Sequence, residues 1–129
     1  MLIEEAAREA GKIAKRYFKN DLKTWDKANN EGPVTPADLD IDHMLRHHLL
    51  SARSNYGWLS EETVDSFERL NKSKVWIVDP LDGTKEFIEG VANFVVSIGL
   101  VQDGYPIVGV LYNHKTQKVL RNLYFHDCH

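Results

Sequence analysis

The sequence predicts an α+β domain in which two N-terminal helices pack on one side of a largely antiparallel sheet. Three observations predict it. Apolar residues between Leu2 and Phe18 recur at helical spacing, Val34-Thr35-Pro36-Ala37-Asp38 carries the signature of a helix start, and beyond Gly57 the pattern changes to short apolar runs separated by turns. In the first segment Leu2/Ile3, Ala6/Ala7, Ala10, Ile13/Ala14 and Tyr17/Phe18 form one stripe, with Glu, Lys and Arg between them, which describes an amphipathic helix. Lys19 to Gly32 is polar, ends at Pro33, and is expected to hold irregular or strand-like structure. Thr35 then serves as N-cap, Pro36 as first helical residue and Asp38 as the acid three residues after the cap. A second helix over Pro36 to about Ala52 follows.

The strands are read in the same way. Val75-Trp76-Ile77-Val78 is a continuous apolar run of the kind covered on both faces, and it is expected to stop at Asp79-Pro80. Asn93 to Val101 alternates Phe94, Val96, Ile98 and Leu100 with smaller or polar residues, Asp103-Gly104 marks a tight turn, and Ile107 to Tyr112 reads as the antiparallel partner. Asn113 to Gln117 supplies another turn before Lys118-Val119-Leu120. Phe94, Val96 and the Ile107–Leu111 run are expected in the core.

Composition bounds the function. The chain has 129 residues, 43% hydrophobic and 27% charged, the balance of a soluble globular domain rather than a disordered or fibrous one. A formal charge of -3 leaves no basic footprint for polymeric nucleic acid and no polybasic membrane patch. Cys128 is the single cysteine, so no intramolecular disulfide framework exists, and a reducing, cytoplasmic location is expected. The N-terminus shows no signal-peptide pattern, and no apolar run approaches the roughly 20 residues that span a bilayer.

The chemistry concentrates in Trp76-Ile77-Val78-Asp79-Pro80-Leu81-Asp82-Gly83-Thr84-Lys85-Glu86-Phe87. At the end of an apolar strand, four residues bring two carboxylates, a rigid proline and a glycine, followed by a threonine placed to start a short helix. Two converging carboxylates resist joint ionisation unless a cation lies between them, and an all-oxygen set favours Mg²⁺ or Mn²⁺ over zinc. Backbone amides at a helix start after Gly83-Thr84 suit a phosphate oxygen. Glu61-Glu62 follows the apolar segment Tyr56-Gly57-Trp58-Leu59-Ser60, which is able to bring this second acidic pair beside the first. Taken singly, each feature has an ordinary explanation: Glu61-Glu62-Thr63 as acids opening a helix, Asp79-Pro80 and Asp82-Gly83 as turn residues, Asp38 as a cap.

Together, Asp79-Pro80-Leu81-Asp82-Gly83-Thr84, the preceding strand, Ser60-Glu61-Glu62 and Val34-Thr35-Pro36-Ala37-Asp38 closely resemble the inositol monophosphatase family of magnesium-dependent, lithium-sensitive phosphatases. The resemblance runs from the first helix to about Val119 and covers the N-terminal half of the family's layered α/β sandwich. It implies a metal- and phosphate-binding portion over residues 1–121, with 122–129 as an unstructured or non-native tail. Asn122-Leu123-Tyr124-Phe125 is similar to part of a protease-recognition sequence.

By resemblance, Glu61 binds the first metal and orients the attacking water, with Glu62 behind it. Asp79 bridges two Mg²⁺ ions, the Leu81 carbonyl completes the first and Asp82 binds the second. Gly83 and Thr84 amides hold phosphate, Lys85 is placed to meet a further phosphate, and the Thr84 hydroxyl paired with Asp38 helps deprotonate the water. The resemblance implies a small phosphorylated substrate, inositol monophosphate or a related ester. The alternative is 3′-phosphoadenosine 5′-phosphate, because Lys85-Glu86-Phe87 stands where many inositol phosphate hydrolases have Thr-Asn-Phe. A homodimer is also implied. The family's further metal-binding aspartate lies in a Trp-Asp-X-Ala-Ala-Gly-like motif that this sequence does not contain, so the chain alone is expected to bind Mg²⁺ weakly and to be inactive or structural. His43 and His47, four apart on the second helix, are expected to face solvent, and His126-Asp127-Cys128-His129 to be terminal sequence rather than a chelating tail.

Overall fold

The computed structural model describes residues 2–17, 25–26, 33–63, 65–82, 95–113, 116 and 118–123. Helix α1 spans Leu2–Tyr17, with Glu4 and Glu5 in its first turn and Lys15 and Arg16 in its last, the charge order that complements the helix dipole. Helix α2 spans Pro36–Ala52, the extent its capping sequence predicts. Two-residue strands β1 (Trp25–Asp26) and β2 (Pro33–Val34) pair antiparallel, so the polar stretch before Pro33 does contain strand.

The main sheet has five strands in the order β3 (Gly57–Ser60), β4 (Lys74–Asp82), β5 (Val95–Gln102), β6 (Tyr105–Asn113) and β7 (Lys118–Leu123). From β4 to β7 every pairing is antiparallel. Asp103 and Gly104 link β5 to β6 with φ of 50° and 85°, the two left-handed residues of a tight hairpin turn that keeps the natural strand twist. Strand β3 departs from the expected meander by pairing with β4 in parallel. The intervening residues cross over through a short 3-10 helix, Glu68–Asn71. Asp65 anchors this crossover: its carboxylate accepts the Phe67 N–H at 2.9 Å and pairs with the Arg69 guanidinium at 2.9 Å. First the backbone hydrogen bond and then the Arg69 contact hold that carboxyl below its ordinary range.

Both helices lie on one face of the sheet. α1 packs on α2 and on β5, β6 and β7, while α2 packs on β4. The face of α1 is built from Ile3, Ala6, Ala7, Ala10 and Ala14, small side chains that let the helix lie close. That of α2 presents Ala37, Ile41, Leu45 and Leu49, and the sheet answers with Trp76, Val78, Val96, Ile98, Leu100 and Val110. Buried and partly exposed residues alternate along β5, as the sequence pattern requires. No helix among the described residues is long and apolar enough to cross a membrane.

Several expectations need correction. Strand β4 does not stop at Asp79-Pro80 but runs to Asp82 through a register shift: Asp79 pairs with Ser97 and Asp82 with Val95. Three steps along β4 match two along β5, a bulge that accommodates Pro80, which has no N–H to give the ladder. The Val75–Val78 run is not covered on both faces, since Ile77 is 41% exposed. Of the Ile107–Leu111 run, Val110 is buried but Leu111 is 40% exposed, for the same reason: the described helices cover one side of the sheet only. Strand β7 carries pairing through Leu123, so Asn122 and Leu123 belong to the sheet rather than to a tail beginning at 122. Phe94 and residues 124–129 lie outside the described residues.

Candidate active site

The candidate site gathers where β3 and β4 end side by side. Parallel pairing matches Gly57 to Val75 and Ser60 to Val78, and the Glu61 N–H extends the ladder by donating to the Val78 carbonyl at 3.3 Å. This register brings Glu61, which is exposed, alongside Asp79, which is partly buried in the next strand. The apolar segment before Glu61 therefore carries it to the strand position beside Asp79. Glu61, Glu62 and Thr63 form a bend, not the opening turn of a helix.

Helix α2 reaches the same region from the side. Thr35 and Asp38 form a fully buried reciprocal cap. The Thr35 hydroxyl accepts the N–H groups of Ala37 (3.1 Å) and Asp38 (3.4 Å), while an Asp38 carboxylate oxygen accepts the Thr35 N–H at 2.7 Å and its hydroxyl at 2.8 Å. A carboxylate buried here is tolerated because charge-assisted hydrogen bonds replace its water. One turn further on, Asp42 is buried and accepts hydrogen bonds from the hydroxyls of Ser60 and Thr63, which flank Glu61 and Glu62. The Ser60 hydroxyl oxygen in turn accepts the Glu62 N–H at 3.2 Å, and the Trp58 indole N–H donates to the Thr63 hydroxyl at 3.3 Å. Sequence reasoning missed Asp42. The signal was its spacing four residues after Asp38, on a helix face otherwise filled by Ala37, Ile41, Leu45 and Leu49.

Of the expected site residues, then, Asp38, Glu61, Glu62 and Asp79 belong to described, ordered elements. Leu81 and Asp82 are the last residues of β4, with side chains outside the description, and Gly83, Thr84 and Lys85 lie outside the described residues altogether. The pairing of Asp38 with Thr84 falls with them. No group of three His, Cys, Asp or Glu that would hold a metal is assembled among the described residues. Glu61 and Asp79 stand at adjacent strand ends, one exposed and one partly shielded, and carboxylate oxygens are the donor type a hard divalent cation takes. His43 and His47 are both exposed on α2.

A cavity of about 410 Å³ between α1 and α2 is lined by Ile13, Arg16, Tyr17, Asp40, His43 and Met44, and none of Asp38, Glu61, Glu62 and Asp79 is in its lining. It is spanned by a hydrogen bond from the Tyr17 hydroxyl to the Asp40 carboxylate, and this bond is the main reason the phenol holds its proton above its ordinary range.

Two helices thus lie on one face of a mixed sheet, with Glu61 and Asp79 at the ends of its parallel pair. The inositol monophosphatase family model matches residues 2–125, and the chain belongs to that family. It is 34% identical over 94% of its length to the 3′(2′),5′-bisphosphate nucleotidase CysQ of Salmonella typhimurium, covering 48% of that protein. It is 37% identical over 87% of its length to the inositol-1-monophosphatase of Caulobacter vibrioides, covering 44% of it. The crystal structure of the extragenic suppressor protein SuhB from Bartonella henselae superposes with a TM-score of 0.85 at 29% identity, over 95% of this chain and 47% of that one. The chain thus spans about half the length of the relatives it matches. The family is one of metal-dependent phosphatases acting on small phosphorylated substrates.

Proposed function

We propose that this chain is the metal- and phosphate-binding half of a Mg²⁺-dependent phosphomonoesterase that hydrolyses inositol monophosphate or a related small phosphate ester. The observation that carries the reading is the parallel register of β3 on β4, extended by the Glu61 N–H to Val78 carbonyl bond, which sets two carboxylate residues at neighbouring strand ends. Glu61, Asp79, the Leu81 carbonyl and Asp82 would hold the cations. A bound divalent cation supplies hydroxide near neutral pH by lowering the pKa of its water, and offsets charge on the leaving oxygen. The protein's own groups position and polarise. Asp38, locked by Thr35, keeps a carboxylate oriented beside the start of α2 and is the acceptor assigned to the Thr84 hydroxyl; Gly83 and Thr84 amides and Lys85 are assigned to phosphate. Homodimerisation and inhibition by lithium belong to the same reading on the strength of the family resemblance, and a cytoplasmic location on that of the single cysteine.

The alternative substrate is the 3′-phosphate of 3′-phosphoadenosine 5′-phosphate. It is favoured by Lys85-Glu86-Phe87 after Gly83-Thr84 and by the likeness to the Salmonella nucleotidase. The test assays the full-length parent protein against inositol 1-phosphate and 3′-phosphoadenosine 5′-phosphate side by side, with Mg²⁺ and with added Li⁺. Mg²⁺-dependent phosphate release that Asp79→Asn abolishes is expected, and the better substrate decides between the two. Release from neither ester overturns both assignments. The 129-residue chain alone is expected to release little phosphate, as a fragment with a structural or oligomerising role.

A further inference from the structure

We propose that Asp42 is a positioning residue for the candidate metal site, acting through Ser60 and Thr63 to fix the bend that carries Glu61 and Glu62. The proposal rests on the reading of Glu61 as a metal ligand made above. Its two carboxylate oxygens divide between two donors: one accepts the Ser60 hydroxyl, the other the Thr63 hydroxyl. Those residues bracket the acidic pair, so a single side chain on α2 clasps both ends of the bend. The clasp is sheltered, with Asp42 only 7% and Ser60 8% exposed, which strengthens charge-assisted bonds that water would otherwise weaken.

The bend has two further anchors. The Glu61 N–H reaches the Val78 carbonyl of β4, and the Trp58 indole holds Thr63 from β3. Ser60 also passes the restraint along the backbone by accepting the Glu62 N–H. Three elements therefore fix a four-residue segment, and Asp42 is the member that ties it to the helix. The same helix face holds Asp38 one turn earlier, so α2 couples the cap at its start to the loop after β3. A metal ligand on an exposed bend loses affinity when that bend wanders, because ordering the ligand is then charged to the binding step. Groups that orient ligands without touching the metal typically change metal affinity by about 10–100-fold when removed.

The test uses the full chain with Mn²⁺ alone as probe, followed by calorimetric titration, and amide hydrogen exchange at Glu61, Glu62 and Thr63 without metal. Asp42→Ala is expected to stay folded by circular dichroism, to bind Mn²⁺ about 10–100-fold more weakly, and to exchange the Glu61 and Glu62 amides faster. Asp42→Asn, which keeps the shape and can both accept from one hydroxyl and donate to the other, is expected to restore most of the affinity. A merely structural role would lower the melting temperature of Asp42→Ala and leave Mn²⁺ affinity and local exchange untouched; that result overturns the proposal. Should Asp42→Ala fail to fold, the double variant Ser60→Ala/Thr63→Val removes the donors with Asp42 in place and must show the same two effects. A wild-type chain that takes up no Mn²⁺ overturns the metal reading of Glu61, and unchanged exchange in Asp42→Ala would overturn the clasp as well. Faster exchange in Asp42→Ala would then confine the failure to that reading, since the clasp itself would be intact.

Discussion

Thr35 shows how much one side chain does at the start of α2. Its hydroxyl accepts two amide hydrogens of the first turn and donates to Asp38, all inside the protein. Thr35→Ala removes these bonds together, and loss of a buried cap should destabilise the fold by about 1–2 kcal/mol, whereas Thr35→Ser should cost only a few tenths. Denaturant titration measures both. Asp38 and the limits of α2 were legible because cap, proline and acid occupy adjacent, diagnostic positions. Asp42 was not, since its spacing of four from Asp38 marks a shared helix face but does not say which groups that face meets. Its meaning comes from Ser60 and Thr63, about twenty residues away in sequence and adjacent only after β3 has paired with β4.

At the scale of elements, the packing of α1 on the sheet depends on a missing side chain. A Cβ at Gly11 would lie 2.3 Å from the Tyr112 ring of β6, far inside contact distance. Gly11→Ala should therefore lower stability by about 1–3 kcal/mol through overpacking, which outweighs the gain of about 1 kcal/mol in helix propensity. Thermal unfolding tests it, and a more stable variant would show that the helix slides at little cost. The two helices are also joined by Tyr17 and Asp40. Because the raised phenol pKa means the folded state keeps the proton longer than the unfolded chain, this bond stabilises fully below pH 10 and progressively less as pH rises through the folded value. Melting temperatures between pH 8 and 11 should fall more steeply for the wild type than for Tyr17→Phe.

Period and turn chemistry identified α1, α2 and the β5–β6 hairpin. The parallel β3 escaped because four residues, Gly57 to Ser60, carry too short a pattern to assign direction. The continuation of β4 beyond Pro80 escaped because a bulge can absorb a residue that lacks an N–H, and nothing local distinguishes that from a strand end.

Across the described residues, one face of the sheet is well buried and the other is not. Trp76, Val78, Val96, Ile98 and Val110 lie beneath the helices, each no more than 2% exposed, while Ile77, Leu111 and Leu120 on the far side are 40% exposed or more. Any ligand bound only by the folded state shows up in the melting curve. If Glu61 and Asp79 belong to a cation site, Mg²⁺ or Mn²⁺ at ten times its dissociation constant should add about 1.4 kcal/mol by mass action. For a domain of this size that corresponds to a rise of roughly 3–6 °C in melting temperature. Asp79→Asn should melt at the same temperature with and without the metal, because the loss of a ligand removes the linkage. Ca²⁺, larger and less demanding of geometry, separates a built octahedral site from loose acidic attraction. Equal stabilisation of wild type and Asp79→Asn by either ion would show that the metal meets only diffuse charge, and that the strand ends of β3 and β4 do not assemble a site.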